Sequence, residues 1–345
     1  SRRTYGTRRP SLEELRKMIL AGDIGGTNAR LAYFQPQNGR FQLVSERVFP
    51  SREHRGLGEI VTRFLDESGT RPEAACFGIA GPVRNGRVET SNLPWVIEQS
   101  TLANQLHLAA TLLINDLEAI AWGIGAMGSE DLVTLNPGAG AVAGNQAVIA
   151  PGTGLGQAGL FWDGSRHHVF ACEGGHTDFA PQGELQLELL RFLTKQFGHV
   201  SYERILSGPG LVNVYQFLVA NGCGKALPEI TEAMQTGDPA AAISRAALSG
   251  RDPLAEKAMD LWIAVYGAEA SNLALKIMST GGLFLAGGIS PKILGKLTEP
   301  LFMEAFLDKG RMRALVATMP VHVVTNEKGG LLGAARCAAV RGFRG

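Results

Sequence analysis

Paired cysteines are missing from this chain. Its four cysteines, Cys76, Cys172, Cys223 and Cys337, are isolated among 345 residues and never form a C-x-x-C pair. That excludes a cysteine zinc site and fits a reducing compartment without structural disulfides. Long apolar runs are missing too: none approaches the roughly 18 residues needed to span a bilayer, so no membrane partner is expected. Nor is one sign of charge in excess. The 33 basic and 32 acidic residues leave a net charge of +1, and with the basic residues spread along the body of the chain no nucleic-acid partner is expected. Low-complexity segments are absent, and 45% hydrophobic with 19% charged residues is an ordinary soluble composition, long enough for two domains.

Residues 1–17 differ from the rest and read as a basic extension carrying Arg2, Arg3, Arg8 and Arg9. Ser11 with Glu14 predicts a capping box that opens a short charged helix through Lys17. No hydrophobic segment of signal length follows, so the expectation is a cytoplasmic protein rather than an exported one.

Glycine, by contrast, is plentiful, at 44 residues, and it clusters in two segments 129 positions apart: GDIGGTNARLAYF from Gly22 to Phe34 and PGTGLGQAGLFW from Pro151 to Trp162. Shifting the first by 129 superposes Gly25 on Gly154, Ala29 on Ala158, Leu31 on Leu160 and Tyr33 on Trp162. Each reads as strand, tight turn, strand. Glycines let the backbone approach a ligand and point successive N–H groups into one concavity, an anion nest suited to phosphate. The second segment does not match the dinucleotide fingerprint, because a strand rather than a helix follows its glycines.

The order of elements implies a mixed sheet covered by helices. Three hairpin-linked strands, with a turn at Asn38-Gly39, precede a helix near 58–67, a strand AACFGIA, a helix near 98–108 and the strand TLLIN. The second half repeats this logic with insertions, including a long helix from Leu254 to about Ser279 and an apolar strand ending at Gly287-Gly288. A boundary is expected in the turn-rich stretch 126–137. The domains are accordingly drawn as 18–126 plus 325–345, a smaller α/β unit, and 127–324, a larger one.

Several side chains point to chemistry. Asp23 ends a strand beside the first glycine turn, followed by Thr27 and Asn28; a carboxylate next to a phosphate nest suits Mg²⁺, and a structural turn capped by Asp23 is the plainer alternative. Asp116 follows Asn115 at the carboxyl end of a strand, where it reads either as a base for an attacking hydroxyl or as a helix cap. Glu173 to Pro181, EGGHTDFAP, gathers Glu, His and Asp around two glycines: a hydroxyl-binding turn, a structural turn or, least supported, a metal site. Asn92 lies in a loop, with Trp95 either a wall for a sugar ring or loop packing. Gly287-Gly288 either lets adenine and ribose lie on the backbone or serves close packing.

Together the segments DIGGTNARL, INDLEA, GTGLG, EGGHTDFAP, SYERILSGPGLVNVY and LAGGI, in that order, resemble the bacterial-type glucokinase family of the sugar kinase, heat-shock ATPase and actin superfamily. The resemblance runs from about Ile19 to Gly333. It implies two ribonuclease H-like, actin-like ATPase domains with the active site in the cleft between them, closing on the sugar. It makes Asp116 the base for the 6-hydroxyl of glucose and Asn92, Asn115, Glu173, His176 and Glu203 partners of the other hydroxyls. It assigns Gly22, Asp23, Ile24, Gly25, Gly26, Thr27 and Asn28 to the first ATP phosphate site. Mg²⁺ falls to Asp23, directly or through water. The second phosphate site takes Gly152, Thr153, Gly154 and Gly156, and adenosine takes Gly287 and Gly288. The activity implied is ATP:D-glucose 6-phosphotransfer feeding glycolysis, with a homodimer as the family's assembly. A kinase for glucosamine or mannose, a polyphosphate-using glucokinase and a sugar-responsive binding protein are the competing readings. The cysteine-rich zinc motif of the related kinase and repressor family has no counterpart after His176, where FAPQGELQL stands.

Overall fold

A computed structural model describes residues 18–37, 39–90, 93–140 and 142–342. The capping box at Ser11 and Glu14, the basic extension, Asn38 of the expected turn and the site candidate Asn92 lie outside the described residues. The chain divides into two compact units, Ser1–Met127 with Lys328–Gly345, and Gly128–Glu327.

In the first unit the elements run β1 (Ile19–Ile24), β2 (Asn28–Gln37), β3 (Arg40–Pro50), α1 (Leu57–Ser68), β4 (Ala74–Ile79), β5 (Arg87–Glu89), β6 (Val96–Glu98), α2 (Gln99–Leu106), β7 (Thr111–Asn115) and α3 (Asp116–Ile124). The sheet order is β3-β2-β1-β4-β7. β1 pairs antiparallel with β2 and parallel with β4, and β4 runs parallel to β7. The sequences explain the arrangement: β1, β4 and β7 are nearly continuous apolar runs, the pattern of strands covered on both faces, whereas β3 is an exposed edge. On α1, Leu57, Ile60, Val61 and Phe64 fall on one helical stripe and are buried, with Phe64 5.0 Å from the Tyr33 ring.

The second unit contains β8 (Leu132–Asn136), β9 (Gln146–Pro151), β10 (Leu155–Trp162), β11 (His167–Cys172), α4 (Gly183–Phe197), α5 (Gly208–Ala220), α6 (Pro228–Thr236), α7 (Pro239–Leu248), α8 (Pro253–Ile277), β12 (Gly282–Leu285), α9 (Leu294–Leu297), α10 (Pro300–Leu307), α11 (Arg313–Ala317) and β13 (Val321–Val324). The chain then returns to the first unit as α12 (Gly329–Cys337), which packs on α3. The sheet order here is β11-β10-β9-β12-β13-β8. β9 pairs antiparallel with β10 and parallel with β12, and β12 runs parallel to β13. The first sheet is thus repeated strand for strand, with β8 added at its far edge, antiparallel to β13. This is the expected ribonuclease H-like duplication. The 25-residue α8 is buried on most of its faces and forms the spine of this unit's core.

Three expectations change. The turn-rich stretch 126–137 contains the strand β8, because Leu132, Val133 and Leu135 pair with β13. The repeat is real, but its register is not a uniform shift of 129. The first hairpin closes from Ile24 to Ala29 over Gly25–Asn28, the second from Pro151 to Leu155 over Gly152–Gly154. At the strand position of Asp23 the second hairpin therefore has Ala150, not Gly152. The aromatic match also dissolves: Tyr33 is buried in the core, whereas Trp162 is half-exposed and lies tilted against His167, ring centroids 4.8 Å apart.

Gly22 belongs to packing. It sits in the middle of β1 between Leu31 and Phe77, and a Cβ there runs into Phe77 Cδ1. Gly22→Ala is expected to cost about 1–3 kcal/mol by overpacking, read as a lower midpoint in urea unfolding.

Candidate active site

The carboxyl ends of β1, β4 and β7 meet at one edge of the first sheet, and the chain ties them together there. The Ala80 N–H donates to Ile24 O at 3.1 Å, and Asn115 Nδ2 donates to Gly81 O at 3.0 Å. Asn115 is the cap of α3: its Oδ1 accepts from Leu117 N at 2.8 Å and from Glu118 N at 3.4 Å. That corrects the reading of Asp116 as the cap. Asp116 is the first residue of α3, half-buried, with Oδ1 accepting from Leu117 N at 2.9 Å. It stands at the sheet edge on a rigid element, in a helix turn that suits a negative side chain.

The first glycine loop is braced at the same edge. Ser51, fully buried just after β3, donates Oγ–H to Gly25 O at 2.8 Å and its N–H to Thr27 O at 2.9 Å, while Gly25 N–H donates to Asn28 O at 2.9 Å. The loop's carbonyls are thereby engaged from behind, and Thr27 and Asn28 are exposed. Asp23 lies at the foot of the loop, paired in register with Arg30 and beside the start of α12, where a Cβ on Gly330 would come 3.5 Å from Asp23 Cγ. Burial pushes the Asp23 carboxyl above its ordinary value, against the pull of the Arg30 guanidinium. A small hollow beside the loop is lined by Ile24, Gly25, Gly26, Ala80, Thr90 and Leu93, the last two flanking the segment that carries Asn92.

In the second unit the glycine loop is held differently. Glu203 Oε2 accepts from Leu155 N at 2.9 Å, and Gly208 N–H donates to Gly152 O at 2.8 Å. The EGGH turn packs on the same strand: Gly175 lies against Leu155 O and Gly174 over the Gln157 amide. Tyr202 N–H donates to Thr177 O at 3.0 Å and so joins the Glu203 turn to the EGGH turn. The Glu173 and His176 side chains are exposed, with Oε2 and Nε2 4.0 Å apart. Among the described residues no group of three or more His, Cys, Asp or Glu could hold a metal ion.

Next to the second loop lies a cavity of about 400 Å³. Gly152 and Thr153, the α5 start at Ser207, Gly208 and Pro209, and Gly288 with Lys292 form one side; Leu211, Met259, Trp262, Ile289 and Ile293 supply apolar wall; Asp238 and Ser244 of the α7 region add polar groups. Gly287 makes this approach: its φ is +81° and a Cβ would sit 2.8 Å from Pro151 O. Of this cavity, sequence reasoning assigned Gly152, Thr153 and Gly288. Trp262 lies within the expected long helix with nothing local to set it apart, and Asp238, Ser244 and Lys292 carry no local signal. Trp95 is no sugar wall. It is buried in the first unit's core, with Nε1 donating to His54 O at 3.3 Å.

The chain matches the family model "Glucokinase" over residues 20–341. It is 42% identical to the glucokinase of Nostoc sp., covering 93% of this chain and 99% of that protein. Among solved structures it resembles a glucokinase from an Antarctic psychrotroph, at a TM-score of 0.82 and 32% identity over 93% of this chain and 98% of that one. The fold alone is shared with the glucokinase of Balamuthia mandrillaris solved with glucose, at 24% identity and a TM-score of 0.76 over 94% of each chain. Two sheets of the same strand order, and likeness of this extent along nearly the whole length, have one meaning: the chain belongs to the glucokinase family and has the actin-like ATPase fold.

Proposed function

We propose that this chain transfers the γ-phosphoryl group of ATP to the 6-hydroxyl of D-glucose, with Asp116 as the base. The observation that carries the assignment is the position of Asp116, at the first turn of α3 on the sheet edge that also carries the braced Gly25–Asn28 loop, one strand removed from it. The base orients the hydroxyl and accepts its proton as the new O–P bond forms and the bond from phosphorus to the ADP oxygen breaks. Little covalent work falls to the protein in such a transfer, so rate comes from positioning and from electrostatics. Glu173, His176 and Glu203, with Asn92 and Asn115, hold the other sugar hydroxyls. For Asn115 this leaves the second N–H of Nδ2, since Oδ1 is committed to the cap and the first N–H to Gly81.

The two glycine loops, Gly25 to Asn28 and Gly152 to Gly156, are proposed for the phosphates, through N–H groups other than those of Gly25, Gly152 and Leu155, which are bonded to Asn28 O, Gly154 O and Glu203, and the cavity at Gly288 is proposed for adenosine. Its size and apolar wall suit a nucleoside rather than polyphosphate. Asp23 fits Mg²⁺ delivered with ATP, because one carboxylate among phosphate oxygens and waters is what that ion takes, and the described residues hold no cluster for a resident metal. When bound, Mg²⁺ neutralises the charge that develops on the phosphates. A cytoplasmic setting and a homodimer, expected from the resemblance alone, complete the proposal.

ADP release with a panel of sugars tests the acceptor, and glucose 6-phosphate formation from ATP against polyphosphate tests the donor: glucose with ATP gives the highest kcat/KM, and a preference for glucosamine, mannose or polyphosphate defeats the assignment. Asp116→Ala is expected to keep glucose binding and lose kcat by roughly 10²–10⁴-fold; an unchanged kcat removes the base. Asp23 gives a pH signature of its own. A carboxyl raised on folding costs stability as pH climbs from its unfolded value of about 4 through the raised one. Asp23→Asn escapes that cost, so in thermal melts without nucleotide it gains on the wild type as pH rises through that window. In turnover it loses Mg²⁺-dependent activity. A stability difference independent of pH argues against the buried, ionising carboxyl.

A further inference from the structure

Beneath the proposed sugar residues of the second unit lies a fully buried acid. Glu269, in the middle of α8, has no solvent exposure, and its carboxylate is met by donors from two other elements as well as its own helix. Gln157 Nε2 of β10 donates to Oε1 at 2.8 Å, and Asn272 Nδ2, one turn along α8, donates to Oε2 at 3.0 Å. The Tyr202 hydroxyl, also hydrogen-bonded to Glu269, takes a bond from Asn272 Nδ2 at 3.0 Å. Burial and the adjacent carboxylate push that hydroxyl up to about 12, which keeps it a donor. Cys172, Lys276 and Lys309 are the other titratable groups that feel the Glu269 charge.

The places these donors occupy give the network its meaning. Gln157 pairs with Cys172, the residue before Glu173, and Gly174 lies directly on its amide. Tyr202 precedes Glu203 and holds Thr177 through its N–H. One buried carboxylate therefore grips both turns whose side chains are read as sugar ligands. Isolated buried charge is costly, and a carboxylate with every donor satisfied is stiff.

We propose that Glu269 is a positioning residue for sugar recognition, fixing the Glu173–His176 turn and Glu203 from below through Gln157, Asn272 and Tyr202 without touching substrate. This rests on the reading of Glu173, His176 and Glu203 as sugar ligands. Burial pushes the Glu269 carboxyl above its ordinary value, and Glu269→Gln keeps the shape but turns one acceptor oxygen into an NH2 facing the Gln157 and Asn272 amide donors. A displacement of about 1 Å in such groups costs up to 10²-fold, so the glucose KM is expected to rise tenfold or more with the ATP KM within about twofold. Tyr202→Phe, which deletes one hydroxyl, is expected to raise the glucose KM about threefold and decides the matter if Glu269→Gln does not melt cooperatively. Unchanged glucose KM in the folded variants, or equal loss for both substrates, overturns the role. Glu173→Gln, run beside them, separates the two levels. A raised glucose KM there with none from Glu269→Gln sinks only the positioning role, whereas no effect from Glu173→Gln sinks the sugar turn and the positioning role with it.

Discussion

Everything in this protein depends on how the first strand of each sheet is paired. β1 is antiparallel to β2 on one side and parallel to β4 on the other, and β9 repeats the pattern with β10 and β12. A strand so placed must end at the edge where its parallel neighbours end, and it must turn there into a hairpin. Loop backbone, strand-end carboxylates and helix starts are thereby delivered to one rim. In the first unit that rim carries Asp23, the Gly25–Asn28 loop, Gly81 and Asp116; in the second it carries Gly152–Gly154 and Gly287-Gly288. Ligand sites at the carboxyl ends of parallel strands follow from the same geometry in other α/β folds.

How much of this was legible beforehand depended on range. Glycine turns between apolar strands are local, so both hairpins could be read from their own residues. The place of Asp116 was legible because a strand ending in Asn-Asp before a helical pattern is a local statement too, although the cap belongs to Asn115, whose Oδ1 reaches Leu117 N. The cavity was not legible. Ser207, Asp238, Ser244, Trp262 and Lys292 come from separate segments and meet only when α5, α7 and α8 pack. Glu269 does carry a local signal: it is the single charged residue between Leu261 and Leu275, flanked by Ala268 and Ala270. The 129-residue match of the two hairpins erred for a related reason. It aligned letters, whereas strand pairing aligns backbone, and the two loops differ by one residue.

The two loops also show that a repeated backbone does not repeat its electrostatics. Ser51 braces the first loop through its carbonyls, so the support is neutral and takes none of the loop's outward N–H groups. The second loop is braced by the Glu203 carboxylate on Leu155 N–H, which takes one N–H and places a negative charge at the foot of the loop. A phosphate site next to a fixed carboxylate is weakened unless that carboxylate is drawn elsewhere. If Glu203 shares its charge with sugar hydroxyls, as proposed, binding of the acceptor relieves the repulsion felt by the donor's phosphates. The Glu269 network under Tyr202 holds the residue next to Glu203 in place. Coupling between acceptor and donor would in that case be a property of one unit's local chemistry, present before any larger rearrangement is invoked.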